Sequence, residues 1–151
     1  MITTANLRKA VRGARSTIKK MEEDGVLQPV AIGGNGKGGR HVYDELDLLA
    51  GGLAVELRDR GFPRPTVLAI VRWLRESSLE ALRLDWAEGR SLIFAVGENE
   101  PCPVLLSHAA VFQNDEVDLA EAFRLGVPVA VVDLASLYRQ MQSRIASGGE
   151  Q

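Results

Sequence analysis

The fold is decided by the stretch Ser16-Thr17-Ile18-Lys19-Lys20-Met21-Glu22-Glu23-Asp24-Gly25-Val26-Leu27, which a glycine-rich arm connects to Arg40-His41-Val42-Tyr43-Asp44. Ile18 and Met21 are three residues apart, a spacing that predicts one buried face of a short helix. Gly25 is typical of the left-handed residue that ends a helix. The order therefore predicts a short helix, a polar hairpin and the entry to a second helix.

The hairpin is predicted over residues 29–42. Val30 and Ile32 belong to its first arm, and residues 33–39 contain five glycines. Such a tip has few side chains to pack into a core, but it allows close approach to another backbone.

Further helices are predicted on both sides of this stretch from the spacing of apolar residues. Residues 3–12 form a first helix, Gly13 makes the turn, and Ser16 or Thr17 is expected to cap the next helix. The helices that follow are predicted over about 45–60 with Asp44 as the cap, from Pro65 and Thr66 onward, and over 78–88 with Gly89 as the end.

The second half changes character, because short apolar runs there are bounded by Gly, Pro, Asn and Asp. These runs predict buried strands over residues 91–96, 104–107 and 127–132, with a helix over 116–125 between the last two. A final helix is predicted from Asp133. Its apolar stripe consists of Leu134, Leu137, Tyr138, Met141 and Ile145.

The predicted fold class is therefore α+β. Residues 1–77 are expected to form a winged helix-turn-helix. Residues 78–151 are expected to form a small α/β domain with about three short strands and a C-terminal helix.

Charge is distributed unevenly along the 151 residues, whose formal net charge is -2. Residues 1–77 hold 13 Lys or Arg against 9 Asp or Glu, whereas residues 78–151 hold 5 against 11. A basic half joined to an acidic half fits a module that contacts nucleic acid attached to one that does not. Cys102 is the single cysteine, so no disulfide can form within the chain and a cytoplasmic location is expected.

Three segments carry a family resemblance, namely residues 17–27, residues 40–45 and Arg60-Gly61-Phe62-Pro63. Together they make residues 4–76 similar to the winged helix-turn-helix DNA-binding domain of MerR-type transcription regulators. The resemblance implies a recognition helix in the DNA major groove and a wing on the adjacent backbone.

This chain departs from the family pattern in the two elements expected to touch DNA. The family has an arginine and an aromatic pair before the glutamate of the second helix, where this chain has Lys19, Lys20 and Met21. Its wing has an aromatic–arginine pair where this chain has Arg40 and His41. The departures keep the basic character and predict a different DNA sequence preference.

Several side chains are candidates for the DNA interface that the resemblance implies. Arginine and lysine reach base edges or phosphates, and serine and threonine hydroxyls bind phosphate. On the first helix, Lys9 and its basic neighbours would hold the flanking backbone, and Tyr43 is expected to pack at the base of the wing. The candidates are Arg8, Arg12, Arg15, Ser16, Thr17, Lys19, Lys20, Lys37, Arg40, His41 and Tyr43.

Neither a catalytic site nor a metal or cofactor site is predicted. His41 and His108 are the two histidines, and neither lies in a metal-ligand spacing. Glycines at 34, 36 and 39 formally match a dinucleotide-binding pattern, but a strand follows them where phosphate binding needs the start of a helix. The chain is therefore not expected to be an enzyme.

The expected function is that of a sequence-specific, nucleoid-associated transcription regulator that binds double-stranded DNA as a homodimer. The stripe from Leu134 to Ile145 is the predicted dimer interface, and its alternative role is to pack on strands of its own chain. Two other functions stay open. One is an architectural DNA-binding factor of the recombination directionality type, and the other is an antitoxin or adaptor whose acidic half binds a protein partner.

Overall fold

The computed structural model describes residues 1–32, 40–96, 105–107, 124, 126 and 128–148. Within these residues the chain has the predicted α+β fold, with six helices and two three-stranded antiparallel sheets. The helices are α1 (Thr4–Val11), α2 (Arg15–Glu23), α3 (Glu45–Asp59), α4 (Arg64–Arg75), α5 (Leu79–Ala87) and α6 (Leu134–Ser147). The strands are β1 (Ile2–Thr3), β2 (Val30–Ile32), β3 (Arg40–Tyr43), β4 (Arg90–Val96), β5 (Leu105–Ser107) and β6 (Val129–Asp133). None of the helices described is long and apolar enough to cross a membrane.

A short turn joins α1 to α2, as the sequence predicts. Thr3 caps α1, because its hydroxyl accepts a hydrogen bond from the Asn6 backbone N–H at 3.2 Å. The helix ends at Arg12, which adopts the left-handed region with a φ of 53°. Glycine is the residue that usually occupies this position at a helix end.

The predicted cap of α2 is wrong. Ser16 and Thr17 lie inside the helix, which begins at Arg15 with Ala14 as its N-cap and without a side-chain cap. The turn after α1 is so short that the new helix starts before either hydroxyl can take the capping position. At the other end, Gly25 has a φ of 77° and confirms the predicted left-handed residue.

The first sheet has the strand order β1-β3-β2. The central strand β3 pairs with β1, where Ile2 lies opposite Tyr43, and with β2, where Val30 lies opposite Val42. This antiparallel β2–β3 pair confirms the two arms of the predicted hairpin. The predicted glycine-rich tip, residues 33–39, falls outside the described residues.

Helix α3 lies at the centre of the N-terminal half. Asp44 and Asp47 form a capping box, in which each backbone N–H donates to the other carboxylate, at 2.7 and 3.1 Å. The sequence-based assignment of Asp44 as the cap is confirmed. Leu49, Leu53 and Leu57 are fully buried along the helix.

The second sheet has the strand order β5-β4-β6. Its central strand β4 pairs antiparallel with both neighbours, so that Ile93 lies opposite Leu105 on one side and Val132 on the other. These are the three strands that the apolar runs predict. The helix predicted over residues 116–125 lies outside the described residues, except for Arg124.

Helix α6 packs against α1 and α3, as well as against β4 and β6. Its stripe belongs to one core that runs without interruption across the predicted boundary at residue 77. The side chains of Leu134, Leu137, Tyr138 and Met141 are at most 6% exposed, and Ile145 is partly buried against them. The structure thereby corrects the expected dimer interface, because the chain itself covers the face that the sequence assigns to a second copy.

Two polar contacts join α6 to α1 at the edge of this core. Arg144 Nη1 donates to the carbonyl oxygen of Ala10 at 2.8 Å. Lys9 Nζ donates to the carbonyl oxygen of Gly148 at 3.1 Å. Lys9 is therefore engaged within the chain and not held free for a partner.

Two adjacent glycines in α3 permit the close packing of its neighbours. A Cβ atom on Gly52 would lie 3.0 Å from Met141 Sδ, and a Cβ atom on Gly51 would lie 3.4 Å from Leu27 Cδ2. Gly52 therefore faces α6, and Gly51 faces the segment after α2. Glycine costs a helix about 0.5–1 kcal/mol relative to alanine. Helix α3 therefore loses some local stability at the two positions where it allows its neighbours to pack closely.

Replacing Gly52 with valine is expected to lower the free energy of unfolding by about 1–3 kcal/mol, because the new side chain overlaps Met141. Gly52→Ala is the matched control, in which better helix propensity offsets the tight contact. Urea denaturation followed by circular dichroism measures both variants. Adding Met141→Ala to the valine variant should recover part of the loss. A valine variant as stable as the wild type would contradict close packing of α6 on α3.

Candidate nucleic-acid interface

A groove of about 990 Å³ separates α2 from the β2–β3 pair. The first residues of α1 close one end of it. Its polar lining includes Arg15, Ser16, Lys19, Glu22, Arg40 and His41. The sequence predicts the helix and the hairpin as separate contact surfaces, and the structure brings them together on the two sides of one groove.

Five of the predicted contact cations are exposed and form no ion pair or hydrogen bond through their side chains within the part of the chain that the structure describes. They are Arg8, Arg12, Arg15, Lys19 and Arg40. Arg15 and Lys19 line the groove from α2, and Arg40 lines it from β3. The groove therefore has uncompensated positive charge on both sides, which favours an anion.

The predicted hydroxyl contacts differ in their exposure. Ser16 is exposed and lines the groove. Thr17 is half-buried and faces the turn, where its methyl group would lie 3.4 Å from a Cβ atom on Gly13. Lys37, the lysine of the predicted wing, lies outside the described residues.

Asp24 holds the C-terminal end of α2 against the start of α4. Its carboxylate accepts hydrogen bonds from the Arg64 guanidinium, and Lys20 Nζ lies 3.7 Å from the same carboxylate. The hydrogen bonds from Arg64 hold the pKa of Asp24 below its usual range. The charge of Lys20 is partly compensated by this carboxylate, which leaves Lys19 as the more available of the two predicted lysine contacts.

Glu22 connects the two sides of the groove. The Tyr43 hydroxyl donates to Glu22 Oε1 at 2.5 Å, and His41 Nδ1 lies 3.0 Å from the same oxygen. Thr4 Oγ1 lies 3.5 Å from the Tyr43 hydroxyl and extends the network to α1. The position of β3 relative to α2 is therefore fixed by hydrogen bonds to one carboxylate as well as by apolar packing.

Tyr43 is 2% exposed, so the structure corrects its inclusion among the predicted DNA contacts. The expectation that it packs at the base of the wing is confirmed, because its ring belongs to the hydrophobic core. Burial, together with the hydrogen bond to Glu22, raises the pKa of Tyr43 from the ordinary 10.0 to about 12. Tyr43 therefore contributes a buried side chain to the lining of the groove.

Asp47 and Arg75 form a buried ion pair that the sequence analysis does not anticipate. Arg75 Nη1 lies 2.9 Å from Asp47 Oδ1, and their side chains are 12% and 1% exposed. The same arginine nitrogen donates to the Val26 carbonyl oxygen, and the Gln28 backbone N–H donates to Asp47 Oδ1, each at 2.9 Å. The sequence does contain a pattern that identifies Asp47, since an acid three positions after the N-cap Asp44 indicates a capping box. Nothing in the local pattern identifies Arg75 as its partner.

The groove has the chemistry of a binding surface. Its polar groups are cations, hydroxyls and one imidazole, and its carboxylate, Glu22, is occupied by two neighbours. Across the described ranges, no group of three or more His, Cys, Asp and Glu side chains is placed to hold a metal ion. Cations and hydroxyls around a groove suit phosphate oxygens.

Alkaline pH is expected to destabilise the protein in part through Tyr43. Because its pKa is raised in the folded state, the stability it contributes is present below about pH 10 and is lost as the pH rises towards 12. Between pH 9 and 11 this loss amounts to about 1 kcal/mol. Urea denaturation at both pH values should show Tyr43→Phe less stable than the wild type at pH 9, with a smaller difference at pH 11.

Tyr138 provides a matched control for this measurement, because burial also raises its pKa. Tyr138→Phe should retain the alkaline loss that Tyr43 causes. If the difference between Tyr43→Phe and the wild type were the same at both pH values, the hydroxyl of Tyr43 would not be held protonated by its surroundings.

No known protein-family model matches the chain, and no curated protein matches it with significant similarity. A function is therefore inferred from the residues of the groove and from their geometry.

Proposed function

We propose that the chain binds double-stranded DNA as a sequence-reading transcription regulator. In this proposal α2 is the recognition helix and enters the major groove, and the β2–β3 pair is the wing and lies on the adjacent phosphate backbone. The proposal includes a MerR-like winged helix-turn-helix over the N-terminal half. It is supported by the order α1, turn, α2, antiparallel strand pair and α3.

The observation that carries the proposal is the set of unpaired cations on both sides of the groove. Arg15 and Lys19 project from the exposed side of α2, and Arg40 projects from β3. Several other surface cations are paired with carboxylates of the chain, as Arg60 is with Glu56 at 2.7 Å. Unpaired cations release counterions when they meet phosphate, which is the main source of affinity for DNA.

The backbone of Arg12 gives separate support. A non-glycine residue in the left-handed region costs about 1–2 kcal/mol, and this position at a helix end is one that glycine fills without strain. Arg12 is exposed in the turn before α2 and has a φ of 53°. A cation held there despite the strain fits a phosphate contact beside the recognition helix.

A homodimer remains part of the proposal, but it requires a surface other than the α6 stripe. Two copies on one DNA site would place their recognition helices about 34 Å apart. An architectural DNA-binding factor would use the same groove. The regulator is distinguished from it by a large preference for one duplex sequence over random DNA.

Arg15→Ala and Lys19→Ala are each expected to weaken DNA binding by about 1–3 kcal/mol where the side chain contacts a base. A contact to phosphate alone would weaken all duplexes alike and reduce the slope of log affinity against log salt by about one. Fluorescence anisotropy with a random duplex and with duplexes selected from a genomic library measures both effects. Arg139→Ala, which removes an exposed cation outside the groove, is the matched control.

Two results would contradict the proposal. One is a wild-type protein that binds neither the random nor the selected duplexes at low salt. The other is an Arg15→Ala/Lys19→Ala variant that binds as tightly as Arg139→Ala and with the same salt slope.

A further inference from the structure

His41 occupies an unusual electrostatic position at the edge of the groove. Its Nδ1 atom lies 3.0 Å from Glu22 Oε1, and its side chain is 47% exposed. A carboxylate only accepts hydrogen bonds, so the hydrogen between these atoms belongs to His41 Nδ1. The neutral ring therefore has a bare Nε2 atom, and only the protonated ring can donate from that nitrogen.

We propose that His41 is a proton-dependent phosphate contact, positioned by Glu22, which makes the DNA affinity of this chain increase as the pH falls. The inference rests on the proposed function and adds a form of regulation to the same groove. The neutral imidazole offers the backbone phosphate only a lone pair, which repels an anion. The imidazolium offers it a charge-assisted hydrogen bond.

Glu22 positions this contact, because its carboxylate fixes the ring orientation through the hydrogen bond from Nδ1. The Tyr43 hydroxyl donates to the same carboxylate oxygen and holds it in place. Because Tyr43 is buried, Glu22 is anchored from beneath the groove while His41 stays at the surface.

Other charged groups face the same space. Arg15 and Lys19 from α2 and Arg40 from β3 line the groove together with His41. Thr3 and Thr4, from β1 and α1, are uncharged, and β2 has no ionisable side chain over Val30–Ile32. DNA phosphate neutralises the cations and adds negative charge, so binding shifts the ring towards its protonated form. Affinity and proton uptake are then linked.

The dependence of DNA affinity on pH is measured by fluorescence anisotropy with one selected duplex at constant ionic strength. The pH is varied between 7.5 and 5.5, the range in which histidine changes charge. The wild type should bind several-fold to roughly tenfold more tightly at the lower pH, with uptake of at most one proton. His41→Gln should show little dependence on pH. His41→Arg should bind tightly at both pH values, because its charge does not titrate there.

The chain offers a matched control, since His108 is its only other histidine. His108→Gln should retain the pH response of the wild type. NMR titration of the imidazole signals gives a readout without DNA and compares His41 in Glu22→Gln with His41 in the wild type. Glu22→Gln should weaken the pH response of DNA binding.

The outcomes separate this inference from the proposed function. A wild-type affinity that is equal at both pH values, or a response that survives in His41→Gln, overturns the inference and leaves DNA binding intact. A His41 titration that is unchanged in Glu22→Gln overturns the positioning role of Glu22. Absence of binding by every variant at every pH overturns the proposed function, and the inference with it.

Discussion

The ion pair and hydrogen bonds of the buried Asp47 carboxylate hold three segments of the N-terminal half together. This carboxylate is 1% exposed, and it accepts hydrogen bonds from the Arg75 guanidinium and from the backbones of Asp44 and Gln28. These contacts tie together the start of α3, the end of α4 and the segment that leads from α2 into β2. Removing one partner of a buried ion pair typically costs about 3–5 kcal/mol. The segment that leads into β2 and the residue that follows β3 are therefore both held by this carboxylate.

Two further arrangements turn this fixed scaffold into a groove. Glu22 holds β3 to α2 through Tyr43 and His41, so the position of one side of the groove relative to the other is fixed. The Gly51–Gly52 pair lets α1 and α6 approach α3 closely. Carboxylates pair with some of the cations that lie outside the groove, such as Arg60 and Arg64. The cations that line it, Arg15, Lys19 and Arg40, have no such partner among the described residues.

The elements that follow from local chemistry could be predicted from the sequence. Asp44 caps α3, Gly25 ends α2 in the left-handed region, and the apolar runs become β4, β5 and β6, because a cap, a positive φ and an apolar run each leave a short-range signature. Ser16 and Thr17 do not cap α2, because the turn after Arg12 is shorter than the position of Ser16 suggests. Boundaries of this kind depend on the geometry of the preceding helix.

Contacts between distant parts of the chain could not be predicted in the same way. The α6 stripe has the same periodicity whether a second copy or the chain's own α1 and α3 covers it, so the pattern could not decide between them. Asp47 and Arg75 are 28 residues apart, and no spacing rule links them. For the candidate site, the predicted cations Arg15, Lys19 and Arg40 are exposed along the groove. The roles of Glu22 and Tyr43 follow only from the hydrogen bond between them.

The central claim is that DNA occupies the groove between α2 and the β2–β3 pair. The most direct test is NMR chemical-shift mapping of the isotope-labelled protein titrated with a duplex selected for binding. If DNA lies there, the largest backbone shifts are expected in Arg15–Glu23 and Arg40–Tyr43, with smaller ones near Arg12. Shifts confined to α5, the second sheet or α6, with α2 and β3 unchanged, would contradict it.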